Sequence, residues 1–123
     1  MLSESLKKIS GYRSELRTEK MKVPVVFHVQ DALLPDEATL TQLESVASNS
    51  EIFDHIAAMA DVHSKPGRKN ATGTTITSES CILPQLNDSD PACGMRLVRT
   101  NLNENNTTPE ELHRLFEALI PVV

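Results

Sequence analysis

Asp90 and Cys93 stand three residues apart in the stretch Asp88 to Met95, D-S-D-P-A-C-G-M. A carboxylate oxygen is a hard donor and a thiolate sulfur a soft one, and together they suit Mn²⁺ or Zn²⁺. A turn through Pro91 and Ala92 could bring both side chains onto one ion. Two donors do not complete a site, because such ions take at least four. On these residues alone, an Asp in a loop followed by a Cys entering a buried strand is the plainer reading. Asp61 and His63 make a second pair. At alternate positions of an expected strand they face one side, where the carboxylate can orient the imidazole or accept from it. On these residues alone, a solvated strand end is the favoured reading. Lys65, Arg68 and Lys69 lie beside Gly67 and Gly73. Cations with glycines that admit close backbone approach could hold phosphate, and a solvated charged loop is the alternative. The remaining candidates are weaker. His28 on an apolar strand reads as a hydrogen-bonded or half-exposed histidine, His113 as solvent-facing, His55 as the opening of a strand, and Cys81 as a small buried hydrophobe.

The elements that must position these groups follow from local pattern. The opening M-L-S-E-S-L-K-K-I-S-G-Y-R-S-E-L-R-T-E-K has Leu2, Leu6, Ile9 and Leu16 at imperfect helical spacing around Gly11, and residues 1–20 are expected to be a weakly helical, weakly ordered basic extension. Residues 22–29, K-V-P-V-V-F-H-V, are apolar and β-branched and predict a strand that begins near Pro24. Leu40, Leu43, Val46 and Ala47 share one face of an amphipathic helix near 36–48, with Asp36 and Glu37 at its positive end. The run 55–63 fits a buried strand that delivers Asp61 and His63 to a sheet edge, with a helical continuation as the alternative. Residues 64–74 read as a basic loop, and T-T-I-T, C-I-L-P-Q-L (81–86) and M-R-L-V-R-T (95–100) as further strands. Thr108 as N-cap, Pro109 at the first helical position and Glu111 two beyond predict a second helix near 109–120, with Leu112, Leu115, Phe116, Leu119 and Ile120 on one face. The fold class is therefore α+β, a mixed sheet with two amphipathic helices.

With 123 residues the chain has about one domain's length, and with no Trp, one Tyr and three Phe its core must rest on aliphatic side chains. The net charge of −5 argues against general attraction to nucleic acid or acidic membranes. The charge is unevenly spread. Residues 1–22 carry six cations against three acids, +3, which leaves −8 for the rest. Two cysteines and no long apolar run near the start predict a cytoplasmic protein with reduced thiols and no membrane segment.

The order K-V-P-V-V-F-H-V, I-A-A-M-A-D-V-H, K-P-G, I-L-P-Q-L, D-P-A-C-G-M-R-L-V-R-T, I-P-V resembles the N-terminal part of the RtcB-type RNA-splicing ligases over roughly residues 21–123. The most specific part is Asp90-x-x-Cys93-Gly94-Met95 with Asp61-Val62-His63 some thirty residues earlier. The resemblance implies an incomplete portion of that family's fold. It also implies GTP- and manganese-dependent joining of an RNA 3′-phosphate or 2′,3′-cyclic phosphate to a 5′-hydroxyl, through a guanylylated histidine. On it, Asp90 and Cys93 are metal ligands, the thiolate bridging two Mn²⁺ (Zn²⁺ being the other candidate), and Asp61 with His63 belongs to the catalytic centre. Charge then puts Lys65, Arg68 and Lys69 near phosphate. This sequence departs from the family pattern at Pro91-Ala92, where Ile-Gly is usual, and at Ala60, where Pro is usual. None of His28, His55, His63 or His113 matches the family's downstream metal and guanylylated histidines. The expectation is an N-terminal portion, whether cut from a longer protein, truncated in its gene or one part of a split protein, that does not ligate RNA alone. A missing C-terminal portion or a second subunit would then be its partner. A rival from another class is a small interaction module that associates through Leu115, Phe116 and Leu119, as a homo-oligomer or on a partner.

Overall fold

The computed structural model of the chain describes residues 1–87 and 99–119. Among the described residues five strands form one mixed sheet in sequential order: β1 (Leu6–Ser10), β2 (Arg13–Leu16), β3 (Val25–Phe27), β4 (Ile52–His63) and β5 (Thr72–Ser78). Helix α1 (Glu37–Ala47) connects β3 to β4, and helix α2 (Pro109–Leu119) follows later; short 3-10 turns lie at Leu2–Ser5, Asp31–Leu33 and Pro84–Leu86. All neighbouring strands are antiparallel except β3 and β4. A parallel pair needs a crossover, and α1 is that crossover.

Local chemistry sets the ends of α1. Asp36 is its N-cap, its carboxylate accepting from the Thr39 amide at 2.9 Å and the Thr39 hydroxyl at 2.7 Å. At the other end the Ala47 carbonyl accepts from the amides of Lys22 (2.9 Å) and Val23 (3.3 Å), which ties the helix to the chain entering β3. The face between buries Leu40, Leu43, Val46 and Ala47, the four positions that the spacing predicts. These side chains pack with Leu16, Val25, Phe27, Ile52 and Ile56 in a single core. Pro24 sits just before β3, where its carbonyl still accepts the Ile56 amide at 3.0 Å while its lack of an N–H costs nothing.

The opening segment is not helical. Leu6 pairs with Leu16 and Lys7 with Glu15 in a β1–β2 hairpin that joins the sheet through Ser14↔Phe27. Leu16 and Ser14 are buried while Ile9 is exposed, so a period of two governs the segment, and Gly11 stands in its turn. The 3-10 turn before it is anchored on Glu37, whose carboxylate accepts from the amides of Leu2 (3.0 Å) and Ser3 (2.9 Å) and from the Ser3 hydroxyl. Residues 81–86 form a loop and a 3-10 turn instead of a strand. Pro84 cannot donate to a ladder, and Leu83 and Leu86 tuck against the rim of the core. Cys81 is exposed. The basic loop ends earlier than 74, because β5 begins at Thr72. Of the strand expected at 95–100, residues 95–98 lie outside the described residues, and Arg99 and Thr100 are in no strand.

In α2 the expected capping box forms, the Glu111 amide donating to Thr108 Oγ1 at 3.2 Å and the Thr108 amide to Glu111 Oε2 at 2.9 Å. Leu115 and Phe116 on this helix are exposed. Among the described residues no helix is long and apolar enough to cross a membrane.

Two outcomes test this packing. Phe27 is fully buried at the centre of the sheet. Phe27→Ala is expected to lower the unfolding free energy by about 3–5 kcal/mol in urea titration. Donors on Ser3, first its hydroxyl and then its amide, hold the Glu37 carboxyl below its ordinary value of 4.5. A depressed folded pKa stabilises fully above that ordinary value and ceases to do so as pH falls through the lower folded one. Amide exchange at Leu2 and Ser3 should therefore accelerate on acidification below pH 4.5 in the native chain, beyond the intrinsic pH effect, and be fast already at neutral pH in Glu37→Gln. Equal protection in the two proteins would refute the anchor.

Candidate functional site

The sequence from Asp61 to Lys69 covers the carboxyl end of β4 and the loop that follows, beyond the pairing of β4 with β3, which stops at Phe27↔Ala58. There β4 bulges: the five steps from Ala58 to His63 are opposed by only the two from Thr74 to Thr72. Bulges re-aim side chains, and they occur often beside active sites. The half-buried Asp61 carboxylate lies over Gly73, which has a φ of +77°. A Cβ on Gly73 would stand 2.8 Å from Asp61 Oδ1 and 2.9 Å from the Val62 amide nitrogen. Glycine is thus required twice, for the left-handed backbone and for the space that the carboxylate and backbone of β4 occupy.

His63 is exposed, and its Nδ1 lies 2.7 Å from the backbone carbonyl of Asp61. A carbonyl can only accept, so Nδ1 carries the hydrogen and the neutral ring keeps its lone pair on Nε2. Histidines that ligate metals or accept protons are commonly oriented this way. The expected orienting role of Asp61 is met by its main chain and not by its carboxylate.

Helix α1 secures the following loop. Thr39 Oγ1 accepts from the Ser64 amide at 2.9 Å, directly after His63. Because the same hydroxyl donates to Asp36, the N-cap of α1 and the exit of β4 share one network. The Thr39 hydroxyl and then its amide hold the Asp36 carboxyl below its usual range. Gln42 Nε2 donates to the carbonyls of Arg68 (2.7 Å) and Lys65 (3.4 Å). Between them Lys65-Pro66-Gly67-Arg68 is a tight turn, closed by the Arg68 amide on the Lys65 carbonyl at 3.2 Å, with Gly67 at φ +74°. Pro second and a left-handed Gly third are the marks of a type II turn. Arg68 and Lys69 are exposed and Lys65 is half-buried.

Three residues here carry roles that the sequence did not announce. Gly73 makes room for Asp61 from within a strand, although its neighbours read as loop. Buried Asn70 donates to Thr74 Oγ1 (2.7 Å) and to the Leu86 carbonyl (3.2 Å). Its Oδ1 and the buried Thr72 Oγ1 have no hydrogen-bond partner among the described residues. Thr72 stands across from His63, so unmet polar capacity lies beside the strand end. The only sequence signal at Asn70 was an N-x-T pattern, which points to glycosylation of secreted proteins and not to a buried hydrogen-bond hub.

The structure brings Asp61, His63, Lys65, Arg68 and Lys69 to one end of the sheet. Asp90 and Cys93 lie outside the described residues. Among the described residues no three His, Cys, Asp or Glu side chains converge as a metal site. Asp61 and His63 Nε2 are of the donor type that divalent ions take, and further donors must join them to complete a coordination shell.

Comparison with known proteins adds a family. Residues 42–123 match the family model described as tRNA-splicing ligase RtcB. The chain is 33% identical over 102 residues to tRNA-splicing ligase RtcB of Nanoarchaeum equitans (strain Kin4-M), covering 79% of this chain and 21% of that protein. It is 37% identical over 78 residues to RNA-splicing ligase RtcB of Escherichia coli (strain K12), covering 63% of this chain and 18% of that protein. The chain thus spans about a fifth of the length of the curated relatives it matches.

The hydrogen bond to the Asp61 carbonyl fixes a measurable quantity. In long-range ¹H–¹⁵N spectra of the neutral ring, His63 should show the Nδ1–H tautomer as the major form. A dominant Nε2–H form would remove the geometry described for this ring.

Proposed function

The chain belongs to the tRNA-splicing ligase RtcB family, and from that premise we propose that residues 21–123 are the N-terminal portion of an RNA ligase joining a 3′-phosphate or 2′,3′-cyclic phosphate end to a 5′-hydroxyl. The observation that carries this reading is the coincidence of the family match with Asp61-Val62-His63 at the carboxyl end of a parallel strand. Open sheets with parallel strands bind ligands at that end.

In this reading the neutral Nε2 of His63 accepts a proton or a ligand, and Asp61 presents a carboxylate held still by its seat over Gly73. The cations of Lys65, Arg68 and Lys69 take phosphate oxygens by charge-assisted hydrogen bonds, on a turn that Gln42 keeps from folding away. Asp90 and Cys93 would hold Mn²⁺, or Zn²⁺ in its place. The donors fit, since a carboxylate, a thiolate and a correctly oriented imidazole are groups that such ions take. Bound metal supplies charge neutralisation for the triphosphate of GTP and for the phosphoryl group in flight. In this reading the nucleotide-accepting histidine and the remaining donors would lie in the four-fifths of the relatives' length that these 123 residues do not cover. Ligation is accordingly proposed for the assembled protein and not for this chain alone.

Titration of the 123-residue chain with Mn²⁺, followed by loss of the free-ion paramagnetic resonance signal, tests the metal half. Weak binding is expected, abolished in Cys93→Ala; an unchanged isotherm in that variant would eliminate Cys93 as a ligand. Incubated with labelled GTP and Mn²⁺, the chain should acquire no covalent label. Labelling would show that one of its own residues accepts the nucleotide.

A further inference from the structure

The charge asymmetry of the sequence becomes a surface once the hairpin is folded. Six cations lie in residues 1–22 of a chain whose net charge is −5. Three of them are spent locally: Lys8 pairs with Asp31, Lys20 with Glu44 at 4.0 Å, and Lys22 donates to the Ser50 carbonyl. The side chains of Lys7, Arg13 and Arg17 make no ion pair or hydrogen bond among the described residues. Ser14 and Leu16 point into the core side of β2, so alternation turns Arg13 and Glu15 the other way; Lys7 stands opposite Glu15 on the same face, and Arg17 is exposed directly after the strand. One acid among three cations leaves this surface positive. At the hairpin tip Tyr12 is 71% exposed, a large aromatic ring with no core to serve.

Register then decides where this face leads. Ser14 pairs with Phe27, and Phe27 with Ala58, so Tyr12 and Arg13 lie level with His28 and with the residues just before Asp61. The His28 amide, 2.9 Å from the Ala58 carbonyl, continues that ladder. The hairpin tip, His28, Asp61, His63 and the basic turn therefore occupy one end of the sheet. Two strand spacings, about 10 Å, separate β2 from β4 there.

We propose that the β1–β2 hairpin is a single-stranded RNA-binding surface, Arg13, Arg17 and Lys7 meeting backbone phosphates and Tyr12 stacking on a base, which leads the strand to the Asp61–His63 end of the sheet. Cations that track a backbone with an aromatic platform among them are what sequence-tolerant binding of single strands requires. The inference rests on the RNA-ligase reading and extends the contact surface well beyond its phosphate turn. It also explains why an acidic chain concentrates unpaired cations on one exposed strand pair.

Fluorescence anisotropy with a labelled single-stranded oligoribonucleotide ending in a 3′-phosphate tests it across a range of salt concentrations. Each phosphate contact contributes about 0.7 to the slope of log affinity against log salt for single strands. Neutralising three cations in Lys7→Gln/Arg13→Gln/Arg17→Gln should therefore reduce that slope by about 2. Tyr12→Ala should weaken binding roughly tenfold at fixed salt, and Tyr12→Phe should restore it. These four side chains are exposed, and unchanged circular dichroism melts are expected of every variant. Native affinity and slope in either the triple variant or Tyr12→Ala overturn the proposal. If Arg68→Gln/Lys69→Gln still weakens binding in that case, the RNA-ligase reading survives without the hairpin. If the unmodified chain binds no oligoribonucleotide at low salt, both fall.

Discussion

A parallel strand pair cannot be closed by a tight turn, and the pairing of Val25–Phe27 with Ile56–Ala58 is the constraint from which the rest of this molecule follows. The chain must leave the top of β3, travel back along one face and re-enter beside it, and α1 is the shortest element that does so while burying its apolar stripe. Leu40 and Leu43 meet Phe27 and Ile56 in one core because the crossover places them there. The same constraint sends the carboxyl ends of both strands to one edge of the sheet, where the β3–β4 ladder stops while β4 continues against β5 through a bulge.

The candidate site is thus held from two directions. From the sheet, Gly73 yields its Cβ volume to Asp61, and the bulge turns His63 so that its ring meets the Asp61 carbonyl. From the helix, Asp36, Thr39 and Gln42 grip the chain on either side of the basic turn. The cap that starts α1 is therefore also a support for the residue after His63. Fold stability and site geometry are linked through that hydroxyl, so its removal would be felt in both.

Charge follows the same division. An acidic chain carries exposed cations on the outward face of β2 (Arg13), on β1 opposite (Lys7) and after β4 (Arg68 and Lys69). Such a distribution leaves the end of the sheet that holds Asp61 flanked by positive charge in a chain that is acidic overall.

Both helices were legible in the sequence, because a cap and a spacing of three to four are local properties: Asp36 and Thr108 start α1 and α2 as their residue types require. The strand carrying Asp61 and His63 was legible from its apolar run, and the motif types themselves named the family. The hairpin was not. Leu2, Leu6 and Ile9 imitate a helical stripe, and only the pairing of Leu6 with Leu16, and of Ser14 with Phe27, draws Leu6 and Ile9 into a strand. Residues 81–86 misled for the opposite reason, being apolar and β-branched but broken by Pro84. Composition and short-range periodicity determined what kinds of groups this protein carries and where its helices begin. Which face each group occupies, that Gly73 lies under Asp61, that a carbonyl fixes the His63 tautomer and that the basic hairpin shares an edge with both were decided by the tertiary structure, since hydrogen-bond register between strands distant in sequence is set by the shared core and not by either strand alone.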